Sequence, residues 1–352
     1  MARTVAELPS GTRITDFISL GVVTKTFPIT TIESVLKETG KSGISQSRTR
    51  LGWEPVRQLH DEIVRPIAVE STKGAWYKVW RLVSVDGSTL DTSDEKGNEE
   101  AFGRPSSRRG SSAFPKLRFV SLVENGTHVL FGTRMGSYKT GEITLAKEVL
   151  TSLCKGILCL ADRNFYGFEL WKQASGTGAD LLWRIKGNIA LPCENRLPDG
   201  SYLSRVYASR KDQRHKENGV LVRVIEYRLE GVEGADPIYR LLTTILDHEV
   251  APAEELAALY HERWGIETAL DELKTHLRGS NIVLRSKTPD LVRQEFYGLM
   301  MAHFAVRGLM HEAALKVDED ADGLSFLHAV RVVRRKIASF AAIPPSGEKS
   351  IS

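Results

Sequence analysis

The sequence predicts a mixed α/β core that is interrupted by a β-rich insertion and followed by an all-α C-terminal part. Three observations carry this. Strand-like runs at Trp80–Val85, Leu117–Val123, His128–Met135, Gly156–Ala161 and Asp180–Ile185 alternate with helix-like segments at Glu142–Lys155 and Phe165–Ala174, the order of a sheet with helices packed on it. Residues 190–248 then change character, with β-branched or alternating runs at Tyr202–Tyr207, Val220–Leu229 and Ile238–Leu246 between polar turns. From Ala251 onward the apolar spacing is helical.

Composition bounds the rest. The 352 residues are 41% hydrophobic and 26% charged, which excludes disorder as the main state and allows about two domains. A net charge of +4 is too small to name a partner, because nucleic acid responds to clustered charge. Cys154, Cys159 and Cys193 are too few for a disulfide framework and lack zinc spacing; a reducing, cytoplasmic compartment is expected. The opening residues have no apolar core of a signal peptide. The longest apolar stretch, Gly298–Met310, is broken by His303 and Arg307 and falls short of the roughly 20 residues a bilayer span needs, so no membrane association is expected.

Taken in order, residues 1–75 read as a small helical region, in which Ser45–Gly52 is the end of a basic helix stopped at glycine. A first part of the core follows over 76–189. Trp80–Val85 alternates and then meets Asp86-Gly87, which predicts a strand delivering an acid into a turn. Gly103–Arg118 carries Arg104, Arg108, Arg109, Lys116 and Arg118 with no acid, and reads as a basic loop. Asn125-Gly126 between two apolar runs predicts a hairpin. Gly156–Ala161 is a short buried strand that ends on Asp162.

In the insertion, 190–248, the cations Arg205, Arg210, Lys211, Arg214, Lys216, Arg223 and Arg228 outnumber the acids, a pattern shared by polyanion-binding and ordinary solvated faces. Over 249–285, Pro252 and the acids Glu254 and Glu255 open a helix, and Arg278-Gly279 closes it. One helix of about 27 residues, roughly 40 Å, is expected there. The C-terminal region, 286–352, continues with helices at Leu291–Leu315 and Leu324–Phe340, the last carrying Arg331, Arg334, Arg335 and Lys336.

The long helix carries the chemistry. With Tyr260 at zero and about 100° per residue, Arg263, Glu267 and Lys274 fall near 300°, 340° and 320°. Leu259, Ile266, Leu270 and Leu273 form a separate apolar stripe at about 220° to 280°. A carboxylate is thereby held between two cations at the border of core and solvent. In isolation, Arg263 and Glu267 are an ordinary i, i+4 ion pair. With Asp86 and Asp162 at two strand ends, three acids on three elements can converge. Carboxylates about 4 Å apart repel by roughly 4 kcal/mol at an effective dielectric of 20, so they need a cation. Oxygen ligands favour magnesium or manganese, and two such ions support in-line phosphoryl transfer.

These residues resemble the DDE transposases of the insertion-sequence-four family, marked by a Y-x2-R-x3-E-x6-K signature, here Tyr260, Arg263, Glu267 and Lys274. Val85–Thr89 is similar to the family's first-aspartate segment and Ala161–Arg163 to its second; Ala101–Pro105, Ala113–Arg118 and Asp180–Arg184 also resemble family segments. The resemblance runs from about residue 45 to residue 340. It implies an RNase H-like core with a β-rich insertion between Asp162 and Glu267. It further implies that Asp86, Asp162 and Glu267 are catalytic and bind two Mg2+ ions, for which Mn2+ can substitute. Tyr260, Arg263, Lys274, Arg104 and Arg163 would contact DNA. The implied partners are double-stranded DNA, as transposon terminal inverted repeats and target, and a second copy in a synaptic homodimer. The implied setting is the bacterial nucleoid. Trp183 and Tyr207 could stack on an extruded base or pack in the core.

Only about 40 residues precede Ser45–Gly52, fewer than the helical region of such relatives, so weakened end recognition is expected while the catalytic residues are intact. Two other function classes share these residues: a shortened, non-catalytic DNA-binding relative that inhibits transposition, and a stand-alone metal-dependent nuclease.

Overall fold

The computed structural model describes residues 46–107, 110–228, 236, 238–262, 265–277 and 283–341. A helical turn at 46–51 leads into α1, Glu54–Ile63. The two-residue strand β1, Trp76–Tyr77, pairs back on β2, Trp80–Thr92. After α2, Lys96–Phe102, a minimal hairpin of β3, Ser106–Ser107, and β4, Gly110–Ser111, precedes β5, Lys116–Glu124, and β6, Val129–Ser137. Then come α3, Glu142–Val149; β7, Ile157–Ala161; α4, Phe168–Ser175; and β8, Asp180–Arg184.

Among these strands β2, β5 and β6 form an antiparallel meander, β7 lies parallel to β2, and β8 lies parallel to β7. Counted along the chain as the five main strands of the core, the spatial order is third, second, first, fourth, fifth, the arrangement of an RNase H-like sheet. The expected Asn-Gly hairpin forms. Gly126 has φ +78°, and a Cβ there would collide with the Lys73 carbonyl, so glycine is the residue this turn accepts.

The insertion extends the same sheet. Strands β9, Asn195–Arg196; β10, Tyr202–Val206; β11, Val220–Tyr227; and β12, Tyr239–Thr243, pair antiparallel, and β12 joins β8. A short helix, α5, Arg210–His215, sits between β10 and β11, N-capped by Ser209. Helix follows as α6, Ala253–Glu262, and α7, Gly265–Asp271, with a π-helical turn at Glu272–His276. Strand β13, Val283–Leu284, then pairs parallel to the end of β2. The chain closes with α8, Pro289–Val317, and α9, Phe326–Ala341.

The two faces of the sheet are covered differently. Val83, Val85, Cys159, Ala161 and Trp183 pack against Leu145, Val149, Leu170 and Trp171 of α3 and α4. On the opposite face Leu82, Leu158, Leu160, Leu182 and Leu241 pack against Leu256, Leu259 and Tyr260, while Leu90, Leu117 and Phe119 pack against Leu270, Leu273, Phe296 and Met300. The alternation of strand side chains thus assigns one face to α3 and α4 and the other to α6, α7 and α8.

Several expectations are corrected. Strand β2 does not end at Asp86; it runs on to Thr92, because Asp86–Asp91 pair with Lys116–Ser121 of β5, and this long-range ladder overrides the Asp-Gly turn signal. Lys116 and Arg118 lie in β5 rather than in a basic loop; Lys116 pairs with Asp91 at 2.6 Å and the Arg118 guanidinium lies over the Tyr138 ring. Arg108 and Arg109 lie outside the described residues. Arg223, expected on a face open to a polyanion or to solvent, is fully buried. Trp183 is also fully buried, edge-on to Trp171; Tyr207 covers Gly219. The long helix is not uniform: α7 passes into the π-helical turn.

Candidate active site

Strands β2 and β7 place two acids side by side. Their parallel pairing runs from Arg81↔Ile157 to Val85↔Ala161, so Asp86 and Asp162 are the next residue on each, on strands about 4.8 Å apart. Leu82 and Leu158 and Leu160 face the α6 side, and the two-residue period carries Asp86 and Asp162 to that face. Both are half-buried. An Asp86 carboxylate oxygen accepts from the Gly87 N–H at 2.7 Å, and Asp162 accepts from the Asn164 side-chain amide at 3.2 Å. Among the described residues, this edge of β2 is paired by β7 up to Val85 and again by β13 from Asp91. The two acids lie where the first pairing ends.

Helices α6 and α7, the second bearing Glu267, pack on that side of the sheet. At one end the buried Tyr260 hydroxyl donates to the Ala161 carbonyl at 3.2 Å, on the residue before Asp162. At the other, Ala269 and Leu270 pack in the cluster that holds Leu90 and Phe119 of β2 and β5. Glu267 lies between these anchors and is exposed. Among the described residues, no three His, Cys, Asp or Glu side chains are gathered closely enough to hold a metal ion. The strand register therefore puts Asp86 beside the residue that follows β7, Asp162, with Glu267 on α7, and among the described residues the three acids do not form one ligand set. The donors fit a hard divalent cation in chemistry, being carboxylate oxygens.

The expected DNA contacts fare differently. Tyr260 is only 5% exposed; it faces the sheet, not solvent. Arg263 and Trp264 lie outside the described residues. Lys274 is half-exposed on the π-helical turn. Arg104 is engaged within its own loop: it donates to the Ser112 and Ala113 carbonyls at 2.9 and 2.7 Å and pairs with Asp94 and, at 3.0 Å, with Glu99. Arg163 pairs with Asp236 at 2.9 Å, a carboxylate it shares with Arg184.

Two charged networks hold the helix in place, and the sequence reading missed both. At its start, Arg223 donates to the Ser201 hydroxyl at 2.8 Å and to the Ala251 carbonyl at 2.6 Å and pairs with Asp199. Asp199 in turn accepts from the Ala253 N–H at 2.9 Å, in the first turn of α6. Burial pushes the Asp199 carboxyl up, but hydrogen bonds from Ser201 and Ala253 and the Arg223 charge outweigh it, and its pKa is lowered.

At the far end Glu272 is buried and accepts from Arg307 Nε at 2.8 Å and pairs with His303 at 3.4 Å. His128 approaches Glu272 at 3.9 Å and meets Asp322 at 3.1 Å. Burial works against the Glu272 carboxylate, yet His128, His303 and Arg307 outweigh it and hold its pKa far below the ordinary range. The available sequence signal was the pair His303 and Arg307, four apart in an otherwise apolar run.

A family model described as a transposase DDE domain matches residues 80–305. Over 311 residues the chain is 28% identical to transposase InsG of insertion sequence element IS4 from Escherichia coli strain K12, covering 86% of this chain and 69% of that protein. A second protein of that strain, InsZ, also described as a transposase, is 27% identical over 154 residues, covering 43% of this chain and 51% of its own. Among solved structures, the piggyBac transposase in a synaptic complex with hairpin DNA covers 93% of this chain and 70% of that one, at 12% identity and a TM-score of 0.48.

Proposed function

The chain belongs to the transposase DDE domain family and is a DNA transposase of the insertion-sequence-four type; from that premise we propose that Asp86, Asp162 and Glu267 are its catalytic acids. The supporting observation is the register that puts Asp86 beside Asp162, with the Tyr260 hydroxyl tying α6, the helix before that of Glu267, to the carbonyl beside Asp162. The family uses divalent metal ions. In this reading Asp86, Asp162 and Glu267 hold two Mg2+ ions, with Mn2+ as a substitute. When bound, such ions activate the attacking oxygen and stabilise the leaving oxygen of an in-line displacement at phosphorus.

The chain's own residues would do the rest. Asp86 on β2 and Asp162 directly after β7 would be held by their neighbouring strands, and Glu267 on α7 would complete the set. Lys274 and Arg263, which sequence periodicity puts on one stripe with Glu267, hold backbone phosphates. Tyr260 acts as the hook that positions the helix. Arg104 shapes the loop before β5, and Arg163 supplies a cation next to Asp162; any DNA contact by either is made alongside its present partners. The DNA partners in this reading are the element's terminal inverted repeats and a target duplex, handled by a homodimer in the synaptic complex. The chain then cuts at the element ends and joins them to target DNA. Among the described residues no helix is long and apolar enough to cross a membrane.

The test is a magnesium-dependent cleavage assay on DNA carrying the sequences that flank this coding region, with Asp162→Asn as control. Cuts at the element ends that vanish in Asp162→Asn are the expected result. Binding without cutting overturns catalysis and marks a non-catalytic relative; cutting without strand joining marks a stand-alone nuclease.

A further inference from the structure

Helix α9 carries a basic ridge that the catalytic reading does not use. From Phe326 to Ala341 it holds Arg331, Arg334, Arg335 and Lys336 and no acid. An exposed helix that is merely solvated ordinarily mixes both signs; this one carries cations alone. On its apolar side Phe326 and Val330 are buried against Val306, Met310 and Leu277. Arg331, Arg334, Arg335 and Lys336 are all exposed, and Arg331 and Arg335, four apart, share a face with His328.

The ridge is anchored to the signature helix. Arg334 donates to the Leu277 carbonyl at 2.8 Å, just past the π-helical turn that carries Lys274. A helix C-terminus favours a cation there, so the basic ridge starts where the signature helix ends. Four residues of helix rise about 6 Å, against one phosphate per about 3.4 Å of axis on each DNA strand. Arg331 and Arg335 can therefore serve two phosphates of a strand lying along the ridge. Guanidinium groups suit phosphate oxygens through paired N–H donors.

We propose that the exposed face of α9, through Arg331 and Arg335 with Arg334 at its root, is a second backbone-binding surface for duplex DNA, continuous with Lys274. This rests on the transposase reading and extends its DNA contact beyond the acids. The test measures fluorescence anisotropy of a labelled duplex carrying the flanking sequence, across a series of NaCl concentrations. It compares the parent chain with Arg331→Ala/Arg335→Ala and with Arg331→Lys/Arg335→Lys.

The alanine pair is expected to flatten the slope of log affinity against log salt by about 1.8, roughly 0.9 for each phosphate released, and the lysine pair to keep the parent slope. An unchanged slope in the alanine pair overturns the proposal. So does a lysine pair that loses as much slope as the alanine pair, since that marks packing rather than charge. Thermal melting guards against misfolding, and if the alanine pair melts early, Arg331→Gln/Arg335→Gln replaces it with the stems retained. Cleavage by the parent separates the two readings: a parent that cuts element ends while the alanine pair keeps its slope loses only the ridge, whereas a parent that neither binds nor cuts DNA loses the transposase reading.

Discussion

Glu267 and Lys274 sit seven residues apart on one stripe, with opposite charge, and so their substitutions should act in opposite ways. Glu267→Gln removes a carboxylate from the acid cluster and should abolish cleavage while leaving duplex binding intact or tighter, because repulsion between carboxylate and phosphate falls; gel cleavage and anisotropy on the same preparation check both halves. Retained cleavage would return Glu267 to an ordinary surface pair. Lys274→Ala should leave the acids alone and flatten the salt dependence of binding by about 0.9. At this scale the spacing of Tyr260, Arg263, Glu267 and Lys274 was legible, since helical periodicity is local. The inward turn of Tyr260 was not: its hydroxyl bonds Ala161, 99 positions away. Its angle on the helix placed it at the edge of the charged stripe away from the apolar one, and only the sheet beneath decided that it belongs to the core.

The signature helix is an element held at both ends by charge. Its start rests on Arg223, whose guanidinium is wholly buried between Asp199, Ser201 and Ala251. Asp199→Ala should leave that cation unpaired and destabilise the fold by about 3 kcal/mol, read as a fall in the denaturant midpoint at constant slope. The paired change Asp199→Leu/Arg223→Met should cost much less, since both partners leave together. An equal loss in the two variants would reduce the network to simple packing. The sequence placed Arg223 among seven cations that could face a polyanion or solvent, although its immediate neighbours Val222 and Val224 are apolar; its partners come from the far side of the insertion and from the helix entry.

Across the whole molecule, the Glu272 network ties four distant segments together: the π-helical turn, the β5–β6 hairpin, α8 and the residues before α9. Burial lowers the affinity of His128 for a proton, but Asp322 and Glu272 more than offset it, and its pKa is raised above the ordinary 6.5. A histidine with a raised folded pKa contributes stability that is complete below its unfolded value and is lost as pH rises through the folded one. His128→Gln should therefore be most destabilising below pH 6.5, with the difference from the parent shrinking at higher pH in urea midpoints. Glu272 works in the other direction, since its folded pKa is depressed; its contribution is present above the ordinary 4.5 and is lost as pH falls. Wholly buried His303, whose pKa burial lowers, adds to the loss on the acid side. A difference between His128→Gln and the parent that stays constant with pH would remove His128 from the network.

What the sequence by itself determined is local: the signature on one helical stripe, the hairpin at Asn125-Gly126, the β-rich change of character after residue 190 and the helical C-terminal part. Each is written in spacings of a few residues, where backbone geometry and turn chemistry act directly. The tertiary structure decided the rest. Asp86 sits within a long strand because β5 pairs past it, and it meets Asp162 because β7 ends its own pairing one residue earlier. Arg223, Glu272 and Arg307 are buried because their counter-charges arrive from elsewhere, Arg307 joining Glu272 and His128 across 35 and 179 positions. Strand partnership and the burial of charge are both set by what the rest of the chain brings alongside, and no window of the sequence contains that.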